Sequence, residues 1–267
     1  MKDKDGNNNI SDLLAQIEDE DLRQKIEAEL AAHPGAGLSV ITSEPSPSLA
    51  DLAKANTTSP LPKKYLNKIV EGDSLDAMRS MPDGCIDLFV TSPPYNLKNS
   101  TGNGMKDGRG GKWANARLVK GYLGHNDNMP HDEYVQWQRE CLREMLRLLT
   151  PNGAIFYNHK WRVQGGLLQD RQDIVSGFPV RQIIIWRRKG GINFNKGYFL
   201  PTYEVIYVIA KKNFKLAPKA NRLGDVWEIP QDLKNPHPAP FPEELVDRVI
   251  SSTTGNIILD PFMGSGT

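Results

Sequence analysis

From Tyr65 onward, short apolar runs alternate with segments of helical periodicity, and this alternation constrains the fold more than any other feature of the chain. The runs are NKIVEG, IDLFVT, GAIFYN, RQIIIWR, EVIYVIA and NIILD, each strand-length and most of them rich in β-branched residues. A chain that returns to such runs after helical crossovers lays its strands side by side with helices on the sheet faces. The pattern therefore predicts an α/β domain with a mainly parallel sheet. Between the second and third runs, Tyr134, Trp137, Cys141, Met145 and Leu148 fall on one face of a helix over residues 131–149, stopped by Pro151 and Gly153. A later helix is predicted from Pro242 in PEELVDRVI, where early acids suit the positive end of a helix dipole.

The first sixty residues follow another pattern. Ile10, Leu13, Leu14, Ile17, Leu22, Ile26 and Leu30 recur at roughly helical spacing, and seven acids between residues 12 and 29 oppose only Arg23 and Lys25. A stretch rich in Pro, Ser, Thr and Ala follows and reads as a tether. The predicted organisation is an acidic helical extension at 1–33, a linker at 34–62 and one α/β domain at 63–267.

The formal net charge of +1 hides two basic segments. Residues 98–128 carry Lys98, Lys106, Arg109, Lys112, Arg117 and Lys120 against Asp107 and Asp127; Arg181, Arg187, Arg188, Lys189 and Lys196 form a second group. Charge alone fits a solvated face as well as a polyanion partner. Cys85 and Cys141, the two cysteines of the chain, lie outside metal-ligand spacing, so they are predicted as core residues, with neither a disulfide framework nor a metal site. No run approaches the ~20 apolar residues of a membrane span, and the start MKDKDGNNNI lacks the apolar core of a signal peptide, which predicts a cytoplasmic protein.

Two turns stand where chemistry is expected, at the ends of strands. NIILD runs into PFMGSGT, whose Gly264 and Gly266 let a ligand approach the backbone at the carboxyl end of a sheet. A packing turn would read the same way, and the lysine that follows in a P-loop is missing. IDLFVT runs into Ser92-Pro93-Pro94-Tyr95, which by itself is as good a stop signal as a binding loop. The conjunction is more specific. GDSLDAM and DLFVTSPPYN early, NPHPAPFPEELVDRVI late and ILDPFMGSGT last together resemble the β class of DNA amino-methyltransferases, which modify cytosine N4 or adenine N6. The resemblance covers roughly residues 65–267.

The resemblance implies a Rossmann-like methyltransferase sheet in permuted motif order, S-adenosyl-L-methionine as cofactor and double-stranded DNA as partner. It implies that Ser92, Pro93, Pro94 and Tyr95 hold a base swung out of the duplex, with Ser92 Oγ and the Pro93 carbonyl accepting the amine hydrogens and an exposed Tyr95 stacking on the base. It assigns Asp73, His237, Pro238, Phe241, Asp260, Phe262, Gly264 and Gly266 to the cofactor. Asp73 reads nearly as well as the cap of the helix that follows it. Lys98, Arg109, Lys112, Arg187, Arg188 and Lys196, in insertions near 98–128 and 181–200, would meet DNA, and Tyr198 and Phe199 would wall the base pocket. A serine before Pro-Pro-Tyr leans toward cytosine N4, in an enzyme of restriction-modification or phage type. A carbon-5 mechanism is disfavoured, since neither cysteine follows a proline.

The chain stops inside the cofactor turn, so the expectation is a truncated sequence with C-terminal strands missing and weak cofactor binding. A homodimer and a separate chain completing the sheet are the protein partners this leaves open. The rival reading is a catalytically silent DNA-binding module of the same fold.

Overall fold

A computed structural model describes residues 20, 24, 47–96, 129–164, 166–188, 196–232, 241–264 and 266. The chain divides into two units, 1–46 and 47–267. Of the first, only Glu20 and Gln24 are described, both helical, and the rest of the predicted acidic extension lies outside the described residues, as does the basic insertion at 98–128.

The second unit begins at Pro47, earlier than the predicted boundary. Helix α1 (Leu49–Lys54) opens on a capping box, in which Ser48 Oγ accepts from the Asp51 amide at 3.2 Å while the Asp51 carboxylate accepts from the Ser48 amide at 3.3 Å. Leu52 is buried in the core, and the buried Lys211 donates its ammonium to the Leu52 carbonyl. Residues 47–62 are thus part of the folded unit. One buried leucine in a Ser/Pro-rich stretch carries too little periodicity to distinguish this from a tether.

Helix α2 (Ser74–Arg79) is capped by Asp73, whose Oδ1 accepts from the amides of Leu75 at 2.8 Å and Asp76 at 3.1 Å. Strand β1 (Ile86–Thr91) follows, then helix α3 (His131–Leu148), β2 (Leu149–His159), the small β3 (Arg162–Gln164) and β4 (Leu167–Gln169), and the short α4 (Gln172–Val175). Strands β5 (Val180–Arg187), β6 (Tyr203–Ala210) and β7 (Val226–Glu228), helix α5 (Glu243–Ser251) and β8 (Ile258–Leu259) complete the described elements.

The main sheet runs β7-β5-β6-β2-β1-β8, and β3 and β4 form a separate antiparallel pair. The expected α/β class holds, but the sheet is mixed. Strand β1 is parallel to β2 and β8, and β5 is parallel to β7, whereas β6 runs antiparallel to both β2 and β5. The sequence places no helical pattern between β5 and β6, so the chain reverses there instead of crossing over. The predicted strand at NKIVEG is absent. Residues 67–72 join no ladder, Asn67 has φ 53°, and Ile69 and Val70 are exposed. A strand needs a neighbour, and among the described residues none takes this segment.

Apolar cores cover both faces of the sheet, which is why its strands read as nearly continuous apolar runs. Helices α2 and α3 pack over Phe89, Ile155, Tyr157, Val205 and Tyr207; α5 packs over Leu88, Val90, Phe156, Ile206 and Val208. Cys85 and Cys141 are buried, as predicted, and both are free thiols. Asp87 ties three strands at the opposite end from the glycine turn. It accepts the amides of Asn256 at 2.9 Å and Ile257 at 3.0 Å and the Thr150 hydroxyl at 3.0 Å. Among the described residues, no helix is long and apolar enough to cross a membrane.

Candidate active site

Because β1 and β8 are parallel neighbours, their carboxyl ends fall side by side, and the two turns singled out in the sequence meet there. Thr91 Oγ1, the last residue of β1, donates to Asp260 Oδ1 at 2.6 Å across 169 positions of sequence. The same oxygen accepts the Phe262 amide at 2.9 Å, so the carboxylate shapes the turn after β8. Burial pushes the Asp260 carboxyl up to about 6, against the two hydrogen bonds, which favour its ionised form. Gly264 and Gly266 have φ of 56° and 85°, a left-handed backbone that only glycine adopts without strain. A Cβ at Gly266 would also come within 3.0 Å of the Met263 side chain. Phe262 meets the edge of Trp137 on α3, with ring centroids 5.7 Å apart.

The tetrapeptide is anchored from below. Tyr134 Oη and Gln138 Nε2, one turn apart on α3, donate to the Pro94 carbonyl at 2.9 and 3.3 Å. Tyr157 donates to Gln138 Oε1 at 2.6 Å, fixing that amide in turn. Asn96, buried with φ 53°, clasps Met129 through its backbone amide and carbonyl, both at 2.8 Å. The loop is therefore held by α3 and β2 as well as by its prolines.

Tyr95 differs from expectation. The ring is 8 % exposed and stacks on His159 with centroids 4.6 Å apart, so it is buried against protein. Its hydroxyl lies 2.7 Å from Ser92 Oγ, accepts from Asn158 Nδ2 at 2.6 Å and donates to Glu204 Oε2 at 3.2 Å. Asn158 Nδ2 also donates to Glu204 Oε2 at 2.8 Å, and Arg188 Nη1 lies 3.4 Å from Glu204 Oε1. Sequence reasoning missed Asn158, His159, Glu204, Tyr134 and Gln138. Asn158 and His159 carried a signal, polar residues closing an apolar strand where an α/β sheet presents its site. Glu204 carried one only to a reader who knew that β6 is antiparallel, because that reversal brings its start beside the ends of β1, β2 and β5.

The remaining expected residues divide. Asp260, Phe262, Gly264 and Gly266 gather around the turn. Asp73 caps α2 through Oδ1. Phe241 packs on Trp186 with the core of the face opposite to Phe262, with centroids 6.3 Å apart. Arg188 was expected on DNA; its side chain is only 13 % exposed and turns inward to Glu204. Arg187, on the alternate side of the strand, is exposed and pairs with Glu228. Lys196 is exposed and Tyr198 half-buried, while Phe199 is 98 % exposed among the described residues. Lys98, Arg109, Lys112, His237 and Pro238 lie outside the described residues.

A family model described as DNA methylase matches residues 86–267, more than half of the chain. The chain belongs to the DNA methylase family. Among curated proteins it is similar to the type II methyltransferase M.BglII of Bacillus subtilis, 30 % identical over 251 residues that cover 78 % of this chain and 63 % of that protein. It is also similar to M.ScaI of Streptomyces caespitosus, 30 % identical over 82 % of this chain and 77 % of that one. M.HpaI of Haemophilus parainfluenzae is 26 % identical over 75 % of this chain, and the chain spans 64 % of its length. The chain thus spans just under two thirds of two of these relatives. A solved structure of the PvuII DNA methyltransferase, described as cytosine-N4-specific, shares the fold with a TM-score of 0.52 at 17 % identity, covering 71 % of each chain.

Proposed function

We propose that this chain carries the catalytic loop and cofactor turn of a DNA amino-methyltransferase of restriction-modification type. It would transfer a methyl group from S-adenosyl-L-methionine to the exocyclic amine of a base swung out of the duplex. The observation that carries the reading is the Thr91–Asp260 hydrogen bond at 2.6 Å, which joins the two turns into one site.

The residues around the second turn fit the cofactor. Gly264 and Gly266 leave the backbone open to close approach, Phe262 offers an aromatic surface and Asp260 a buried acid, so these four would hold it. When bound, the cofactor supplies an electrophilic methyl group on a sulfonium. The protein's part is positioning. An exocyclic amine is a poor nucleophile because its lone pair is delocalised into the ring. Acceptors at Ser92 Oγ and the Pro93 carbonyl that fix its hydrogens would favour a pyramidal nitrogen with the lone pair aimed outward. Tyr134 and Gln138 hold the neighbouring Pro94 carbonyl, so the peptide planes of the loop are fixed before substrate arrives. Serine at position 92 favours cytosine N4 over adenine N6. The buried Tyr95 would meet a base only after its ring leaves His159, or would instead back the pocket through its hydroxyl.

The test is transfer of labelled methyl groups to unmethylated bacterial genomic DNA. Incorporation that disappears in Ser92→Ala, with the fold retained, supports the reading. Salt-dependent DNA binding with no incorporation at any enzyme concentration refutes it and favours a silent DNA-binding module.

A further inference from the structure

The buried pair Glu204–Arg188 lies beside the tetrapeptide and has no part in the sequence-level reading of the site. We propose that Glu204, held by Arg188, is a positioning residue that sets the direction of the Ser92–Tyr95 hydrogen bond and thereby makes Ser92 Oγ an acceptor for the substrate amine. This rests on the amine-methylation reading given above.

The argument is an accounting of hydrogens. Glu204 is 8 % exposed, and its ionised carboxylate can only accept. Asn158 therefore turns its amide nitrogen toward Glu204 Oε2 at 2.8 Å; the opposite amide orientation would set two acceptors against each other. The second Asn158 hydrogen goes to Tyr95 Oη at 2.6 Å, the same nitrogen lying farther from Ser92 Oγ, at 3.4 Å. Tyr95 has one hydroxyl hydrogen, and Glu204 Oε2 at 3.2 Å and Ser92 Oγ at 2.7 Å are acceptors within its reach. The serine contact is shorter, but it can be made with either partner donating. The carboxylate contact can be made in one direction alone, and a charged acceptor binds a donor about twice as strongly as a neutral one. Tyr95 then donates to Glu204, and Ser92 satisfies the short contact by donating to Tyr95.

With its only hydrogen committed inward, Ser92 Oγ presents lone pairs alone to an incoming N–H. The opposite arrangement would aim the serine O–H at the amine nitrogen and tie up the lone pair that must attack. Arg188 completes the device, because its guanidinium, 3.4 Å from Oε1, balances a carboxylate enclosed by protein. The antiparallel run of β6 makes this geometry available, since Glu204 pairs with Trp186 of β5 and lies two residues before Ile206, the partner of Asn158 on β2.

Glu204→Gln is the discriminating change, because an amide can donate to Tyr95 and reverse the chain. The expected result is a loss of about 100-fold in single-turnover methyl transfer, the scale of a misplaced reacting group, with cofactor and DNA dissociation constants within twofold of wild type. Glu204→Asp, which keeps a pure acceptor, should recover at least tenfold of that loss. Weakened DNA binding that accounts for the whole effect, or no recovery in Glu204→Asp, would overturn the proposal. An independent readout uses 3-fluorotyrosine at position 95. Its fluorine resonance should move in Glu204→Gln and return toward the wild-type position in Glu204→Asp; an unchanged resonance overturns the proposal whatever the activity. Failure of the wild-type chain to methylate any DNA would instead count against the amine-methylation reading, and the fluorine experiment would still decide this one.

Discussion

Asp260 gives the sharpest quantitative expectation. Burial beside Thr91 pushes its carboxyl up to about 6 in the folded chain, from 3.8 for the free side chain. The folded state therefore holds the proton about two units more tightly than the unfolded state, which at ~1.4 kcal/mol per unit is worth about 3 kcal/mol. The sign follows from linkage. Below about pH 4 both states are protonated and the burial of this group costs nothing for its charge; between pH 4 and 6 only the folded state holds the proton, so stability falls as pH rises. Above about pH 6 both states are ionised and the full penalty stays. Asp260→Asn is nearly isosteric, keeps an acceptor for Thr91 and the Phe262 amide, and cannot ionise. Urea denaturation of both chains from pH 4 to 8 should give equal stabilities at the acid end. The asparagine variant should pull ahead between pH 4 and 6 and remain about 3 kcal/mol more stable above pH 7. Equal stabilities at pH 8, or a less stable asparagine variant there, would refute the reasoning. The same change should weaken binding of S-adenosyl-L-methionine in titration calorimetry, separating what the acid costs the fold from what it gives the site.

Other expectations follow from single contacts. Tyr134→Phe removes the 2.9 Å donor to the Pro94 carbonyl and the 2.8 Å contact to His159 Nε2; denaturation should show a loss of about 1–2 kcal/mol, and methyl transfer should slow more than DNA binding weakens. Gly84→Ala should destabilise by more than ~2 kcal/mol, because the residue has φ 65° and its new Cβ would sit 2.0 Å from the Thr57 carbonyl oxygen; a normal melting temperature would contradict that contact. Cys85 and Cys141 should resist iodoacetamide in the native chain and react on unfolding, since burial pushes both thiols up.

The parts of the fold legible in the sequence are those where one periodicity dominates. Five of the six apolar runs became strands, and α3 and α5 formed where their spacing and stop signals put them. The sixth run, NKIVEG, has strand composition but no neighbour to pair with, and composition cannot report a partner. The orientation of β6 does not show in its own apolar pattern, which parallel and antiparallel strands buried on both faces share; its signal is the missing helical crossover between β5 and β6. That one missing fact hid Glu204. Ser92 to Tyr95 and the glycine turn announce themselves as motifs, whereas Glu204 looks like an ordinary strand edge until the antiparallel ladder carries it to the carboxyl ends of β1 and β2. Arg188 was misjudged for the same reason, its charge counted toward a surface while its side chain turned inward.

The central claim, that the serine loop and the glycine turn form one amine-methylating site, is tested most directly by nucleoside mass spectrometry. DNA incubated with the chain and S-adenosyl-L-methionine bearing a deuterated methyl group should yield deuterated N4-methylcytosine, and Ser92→Ala should abolish it. A label found on carbon 5 of cytosine, or persisting on the amine in Ser92→Ala, would contradict the account.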